Sequence, residues 1–274
     1  MTGTLHVVAT PIGNLADMSE RAVRTLKGAA LIACEDTRTT RTLLARFGIA
    51  TRTFALHAHN ERSAAGRLIA LLREGKDVAL VSDAGTPALS DPGAALVAEA
   101  HRAGIRVSPV PGPSAAAAAF SAAGFAAGGF LFAGFLPAGG AARARALAAL
   151  DQPWPVVLYE APHRIARTVA DLGRTLGAER EVVICRELSK KFEEVARLRL
   201  GEASAWLEAP HRRQGEFALV LAPGEEKPRA GPDPEQVLSV LLESLAPSEA
   251  AKLAARITGA PKNLLYRKAL ERAK

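Results

Sequence analysis

Val78-Ala79-Leu80-Val81-Ser82-Asp83-Ala84-Gly85-Thr86-Pro87-Ala88-Leu89-Ser90-Asp91-Pro92-Gly93 passes from a short apolar run into a dense series of turn formers. An apolar run of this length, closed by Ser, Asp, Gly and Pro, reads as a strand buried on both faces that ends at a loop. The same rhythm recurs on either side of it. Candidate strands fall at residues 5–9, 31–34, 51–56, 78–81 and 106–110, and amphipathic helical patterns at 19–26, 38–47, 64–73 and 92–103. Strands alternating with helices imply a mainly parallel sheet covered on both faces, and ligands of such sheets bind beyond the carboxyl ends of the strands.

Pro111-Gly112-Pro113-Ser114 reads as a crossover into a second α/β layer. Its candidate strands are 130–132, 156–159, 181–186, 194–199 and 217–221, and its helices 141–150 and 164–176. The close spacing from 181 to 221 predicts antiparallel pairing there. Residues 223–234 have the composition of a linker. Helices are expected beyond it at 235–245, 247–257 and 263–273. The domain reading is therefore α/β for residues 1–113 and 114–223, a linker at 224–234, and a small basic helical domain at 235–274.

Composition narrows the function classes. Lys and Arg number 35 against 28 Asp and Glu, a formal charge of +7, which favours a polyanionic partner without requiring one. Cys34 and Cys185 sit in apolar strands and read as buried free thiols of a reducing compartment, not as a zinc site. The first residues lack the basic start and apolar run of a signal peptide. Residues 115–136 carry no charge, but their Ala and Gly content suits a helix and strand packed closely against neighbours better than a membrane span.

The loops carry the candidate chemistry. No Lys or Arg lies between Ser82 and Gly93, so the loop lacks the cation of a phosphate cradle. A backbone-rich, uncharged pocket suits adenosine and a methionyl tail; a set of capped turns is the alternative. Thr10-Pro11-Ile12-Gly13 has one glycine and fails as a dinucleotide fingerprint. Glu35-Asp36-Thr37-Arg38 packs three ionisable groups at a strand-to-helix junction, where Asp36 or Thr37 could equally be the helix cap. His57 and His59 lack the partners of a zinc site and read as an RNA contact or as hydrogen bonds across a cleft. Tyr159 to Arg164, Glu187 to Glu194 and Gly215 to Leu221 are each compatible with a structural ion pair or cap as well as with a site.

Taken in order, Thr10-Pro11-Ile12-Gly13-Asn14-Leu15, Cys34-Glu35-Asp36-Thr37-Arg38, His59-Asn60-Glu61, Ser82 to Pro87, Pro111 to Ser114, Gly134-Phe135-Leu136-Pro137, Tyr159 to Arg164 and Gly215-Glu216-Phe217 closely resemble the ribosomal RNA small subunit methyltransferase I family. That family belongs to the tetrapyrrole methylase superfamily. The resemblance implies a two-domain tetrapyrrole methylase-like α/β fold, S-adenosylmethionine in the interdomain cleft, a homodimer and a cytoplasmic location. It also implies 2'-O-methylation of cytidine 1402 in the decoding region of 16S RNA, within the small ribosomal subunit or a late assembly intermediate. By positional match, Pro11, Gly13, Ser82, Asp83, Ala84, Gly85, Thr86, Pro111, Ser114, Tyr159 and Ala218 are the expected cofactor contacts. Glu35 and Asp36 are the expected proton acceptors or positioning groups, with Arg38, Lys190 and Lys191 as expected phosphate or transition-state contacts. Arg38, His59, Arg164 and Lys191, with Lys252, Lys262, Arg267 and Lys268 of the basic tail, are the expected RNA contacts; no metal is expected. Asp83 stands where tetrapyrrole-modifying relatives carry Gly-Asp-Pro, and the Ala84-Gly85-Thr86-Pro87 that follows it matches the RNA branch. The competing expectations are a tetrapyrrole methyltransferase and a noncatalytic RNA-binding assembly factor.

Overall fold

The computed structural model describes residues 2–57, 61–224 and 232–272, in two compact units, Met1–Gly224 and Glu225–Lys274. In the first unit, β1 (Thr4–Val8), α1 (Glu20–Gly28), β2 (Leu31–Cys34), α2 (Thr37–Arg46), β3 (Thr53–Ala55), α3 (Glu61–Arg73), β4 (Val78–Leu80), α4 (Ala94–Arg102) and β5 (Arg106–Val110) alternate without exception. The strands pair in parallel in the order β3-β2-β4-β1-β5. Both faces are covered: Leu5, Ala33, Leu68, Leu72 and Leu96 pack on one side, and Val8, Leu26, Ile32, Leu44 and Val81 on the other. Helix starts follow from short polar side chains, since Ser19 Oγ accepts from Ala22 N at 3.1 Å and Asp36 accepts from Arg38 N at 2.7 Å.

After Pro111–Ser114 the chain forms α5 (Ala115–Ala123), β6 (Leu131–Phe135), α6 (Gly140–Ala148), β7 (Val156–Glu160), α7 (Ile165–Leu176), β8 (Glu181–Arg186), β9 (Glu194–Arg199), α8 (Leu200–Trp206) and β10 (Phe217–Leu221). This sheet is mixed, in the order β6-β7-β10-β8-β9, with β6 parallel to β7 and the other pairs antiparallel. The chain's last strand sits in the middle and is buried at every residue. The uncharged stretch after residue 114 is a nine-residue helix followed by an edge strand. Ala116, Ala119 and Ala123 let α5 lie close on Val157, Val183 and Val220. Among the described residues no helix is long and apolar enough to cross a membrane.

The second unit holds α9 (Pro234–Leu242), α10 (Pro247–Thr258) and α11 (Lys262–Arg272). Leu238, Ala250, Ala254, Leu265 and Ala269 form its core, and Gly259, at φ 75°, makes the left-handed turn between the last two helices.

Candidate active site

The loops at the carboxyl ends of β1, β4 and β5 are stitched to one another. Thr10 and Gly85 exchange backbone hydrogen bonds at 2.9 and 3.0 Å, Thr10 Oγ1 donates to Ser82 O at 3.2 Å, and Thr86 Oγ1 donates to Pro113 O at 3.0 Å. Gly85 adopts φ +79°, with Ile12 Cγ2 only 3.4 Å from where a Cβ would lie. These loops and the facing ends of β6, β7, β8 and β10 enclose a cleft of about 430 Å³, within the range of small-molecule sites.

Its lining combines three chemistries. Ile12, Leu89, Phe135, Tyr159, Leu188 and Phe217 give apolar and aromatic walls; Ala84, Gly85 and Thr86 bring backbone; Glu35, Asp83, Asp91, Glu160 and Glu216 bring carboxylates, of which Glu160 is paired with Arg164 and Glu216 with Lys190. Among the described residues no Lys or Arg lines it. Burial, then Asp83, raises the Glu35 carboxyl above its ordinary range. Asp91 is pushed up to about 6 by burial and by the charges of Glu35 and Asp83. Its loop is also strained, since Ala88 and Ser90 both have φ 65°, a conformation that non-glycine residues adopt only when their surroundings hold them there. Cys185 lines the floor as a thiol that burial pushes up to about 12, so it is inert toward bases at neutral pH. Among the described residues no group of three His, Cys, Asp or Glu is placed to hold a metal ion.

Of the residues singled out from sequence as cofactor contacts, Asp83, Ala84, Gly85, Thr86, Ser114, Tyr159 and Ala218 line the cleft. Pro11 and Ser82 are buried behind the wall, and the Ser82 hydroxyl holds the turn through Ala84 O and Gly85 O. Pro111 is exposed beside the crossover. Gly13 has φ +148° and lies under the Lys190 side chain; a Cβ there would stand 2.4 Å from Lys190 Cγ.

Of the four catalytic candidates only Glu35 faces the cleft. Asp36 caps α2, and the Arg38 backbone N–H and guanidinium hold its carboxyl below the usual range. Arg38 is exposed and paired to Asp36 at 3.3 Å. Lys190 Nζ is bound by Glu187 at 2.9 Å and Glu216 at 2.8 Å. Burial alone would lower its pKa, but those two carboxylates raise it.

Among the RNA candidates, Arg164 is tied to Glu160 at 3.1 Å and donates to Leu136 O, while Lys191 lies over the Phe192 ring. Lys252, Lys262 and Arg267 are exposed on α10 and α11, and Lys268 pairs with Glu235. His59 lies outside the described residues.

Sequence reasoning missed Asp91, whose neighbour Glu35 comes from the loop after β2 while Asp83 stands at the start of its own loop. It also missed the network behind Glu160, in which Thr168 donates to Glu160 at 2.6 Å and Arg143 donates to Thr168 at 2.9 Å and to Asp171 at 2.8 Å. Four buried polar side chains joined this way hold the end of β7 against α6 and α7.

Residues 4–204 match the model of the family described as Tetrapyrrole (Corrin/Porphyrin) Methylases, which accounts for the two sheets and the cleft at their loop ends. Residues 229–273 match the RsmI C-terminal HTH domain. The chain is 49% identical over 98% of its length, and 98% of the relative's, to the ribosomal RNA small subunit methyltransferase I of Pseudomonas aeruginosa. It is 48% identical to that of Xylella fastidiosa, covering 96% of this chain and 98% of the relative. The solved uroporphyrin-III-C-methyltransferase of Thermus thermophilus shares the fold at TM-score 0.56 and 21% identity, over 80% of this chain and 94% of that one. The fold and cleft are those of a methylase, and the chain belongs to the ribosomal RNA small subunit methyltransferase I family.

Proposed function

We propose that this chain transfers the methyl group of S-adenosylmethionine to the ribose 2'-hydroxyl of a cytidine, position 1402, in the decoding region of 16S RNA. The observation that carries the cofactor reading is a cleft whose charged lining is entirely acidic and whose remaining walls are apolar, aromatic or backbone. Such a lining disfavours a phosphate and favours a ligand with an apolar ring and cationic groups. The RNA reading rests on the names of the full-length relatives and on the basic second unit. We take residues 1–113 and 114–223 as the two lobes that hold the cofactor, 224–234 as the linker and 235–274 as the RNA-binding domain. The working form is a cytoplasmic homodimer acting on the small subunit or a late assembly intermediate of it.

When bound, the cofactor supplies an electrophilic methyl group. The protein holds the ribose oxygen in line with it and keeps water out. Tyr159 and Phe135 would hold its ring, the Ala84–Thr86 backbone would bind its polar edges, and Glu35, Asp83 and Asp91, the lining carboxylates without an ion pair among the described residues, would meet its positive charge. Loss of the hydroxyl proton needs an acceptor of raised proton affinity, and Glu35 and Asp91 meet that requirement where Asp36, held ionised by its cap, does not.

Methyl transfer from labelled cofactor to unmethylated small subunits, mapped by mass spectrometry, should place the label on one cytidine ribose. Label on a base alone, or on a tetrapyrrole alone, overturns the assignment; cofactor and RNA binding without turnover indicates an assembly factor instead. Calorimetry adds a check on the site. Affinity for S-adenosylmethionine should fall as pH drops through about 6 and Asp91 takes a proton, and the neutral thioether product should lose less. Equal losses for both ligands would argue against charge recognition.

A further inference from the structure

We propose that Phe192 and Lys191 form a subsite for one nucleotide of single-stranded RNA beside the cleft, the base stacking on the ring and the ammonium meeting its phosphate. Phe192 is 64% exposed, more than any other large hydrophobic side chain among the described residues. A phenylalanine left in water forgoes its burial free energy, so its display calls for a cause.

The display is rigid. Lys190 N donates to Glu187 O at 3.0 Å, Glu193 N to Lys190 O at 3.2 Å, Ser189 N to Glu193 Oε2 at 2.6 Å, and Arg186 Nη1 to Phe192 O at 2.9 Å. Glu187 and Ser189 are held at φ 52° and 67°. Ser189 Oγ also donates to Asp17 across the cleft rim, and Leu188 of the same loop lines the cleft itself. The backbone that carries the ring is thus held four residues from Leu188 of the cleft wall.

The two lysines of this loop divide in role. Lys190 is neutralised by Glu187 and Glu216, whereas Lys191 makes no ion pair among the described residues and keeps its Nζ 5.4 Å from the Phe192 ring centroid. An exposed ring with an unpaired cation at its face matches the chemistry of an unstacked nucleotide, an aromatic base carrying a negative phosphate. The chain's charge of +7 favours the same partner. This subsite rests on the RNA reading above.

The test uses the full chain with Phe192→Leu, Phe192→Tyr and Lys191→Gln. With unmethylated small subunits as substrate, Phe192→Leu should raise KM about tenfold, within the range of a lost base–aromatic stack, and Phe192→Tyr should stay within about twofold of the parent. Affinity for S-adenosylmethionine and Tm should not move, because the ring contacts solvent. Lys191→Gln should raise KM and flatten its salt dependence. An unchanged KM in Phe192→Leu overturns the proposal, as does an equal rise in Phe192→Tyr. Dissociation of an oligomer by Phe192→Leu overturns it too, and assigns the ring to a contact with a second copy of the chain. A readout independent of turnover separates this idea from the reaction itself. The added fluorescence of Phe192→Trp over the parent should be quenched by single-stranded RNA and not by heparin; quenching by both, or by neither, removes the stacking claim.

Discussion

Asp91 carries the clearest residue-scale consequence. Its folded pKa of about 6 lies above the ordinary 3.8 of an aspartate, so between those values the folded state binds more protons than the unfolded one. Stability then falls as pH rises through that window, and the cost is fully present above about 6. Asp91→Asn should therefore raise stability at pH 7.5 by about 1–2 kcal/mol after allowance for solvent screening. The gain should shrink as pH falls through that window and vanish only below about pH 3, where the carboxyl is largely protonated in both states. Thermal melts at the two pH values check the sign, and a gain independent of pH would remove the electrostatic account. The same variant should bind S-adenosylmethionine several-fold more weakly, since it deletes one of the carboxylates that face the cleft. Glu35 was legible as a site residue because a strand end and an acidic cluster coincide there. Asp91 was not, because its proton affinity depends on burial and on two carboxylates, Asp83 at the start of its own loop and Glu35 brought from the loop after β2. Asp36 lies next to Glu35 in sequence, yet the helix that begins after it takes its side chain for a cap.

At the scale of elements, the loop after β8 and the loop after β1 are locked by one side chain. Lys190 runs across Gly13 to reach Glu187 and Glu216, so the close approach depends on the missing Cβ as much as on the two ion pairs. Gly13→Ala should force Lys190 aside and strain a backbone at φ +148°, costing about 1–3 kcal/mol in stability. It should also weaken cofactor binding, because Ile12, Leu188 and Glu216 of the displaced loops line the cleft. Adding Lys190→Ala should recover part of the loss by making room for the Cβ. Strictly additive losses in this double-mutant cycle, measured by melts and calorimetry, would show that the two positions do not act together. The strands that bear these loops were largely legible: β2, β5, β8, β9 and β10 begin and end where apolar or alternating runs do. Their order in the second sheet was not. Placing β10 between β7 and β8 depends on pairing across long stretches of chain, which no local periodicity records.

On the scale of the whole molecule, the first unit contains every described residue that lines the cleft, and the second concentrates positive charge toward its end. Residues 248–274 hold seven Lys and Arg against two Glu. Lys252, Arg256, Lys262 and Arg267 are exposed and make no ion pair among the described residues, whereas Lys268 is engaged with Glu235. If this three-helix unit is the RNA-binding domain proposed above, such cations would contribute to affinity mainly by releasing counterions, a contribution that weakens steeply with salt. A chain ending before Pro234 should keep its affinity for S-adenosylmethionine, because its cleft and both sheets are intact. Its affinity for unmethylated small subunits should fall at low salt, and the slope of log affinity against log salt should become shallower by about 3. Titrations across salt concentrations with the full and shortened chains decide the matter. If both lose affinity along parallel lines, the basic helices do not touch RNA phosphate, and recognition of the substrate must come from the face of the first unit around the cleft.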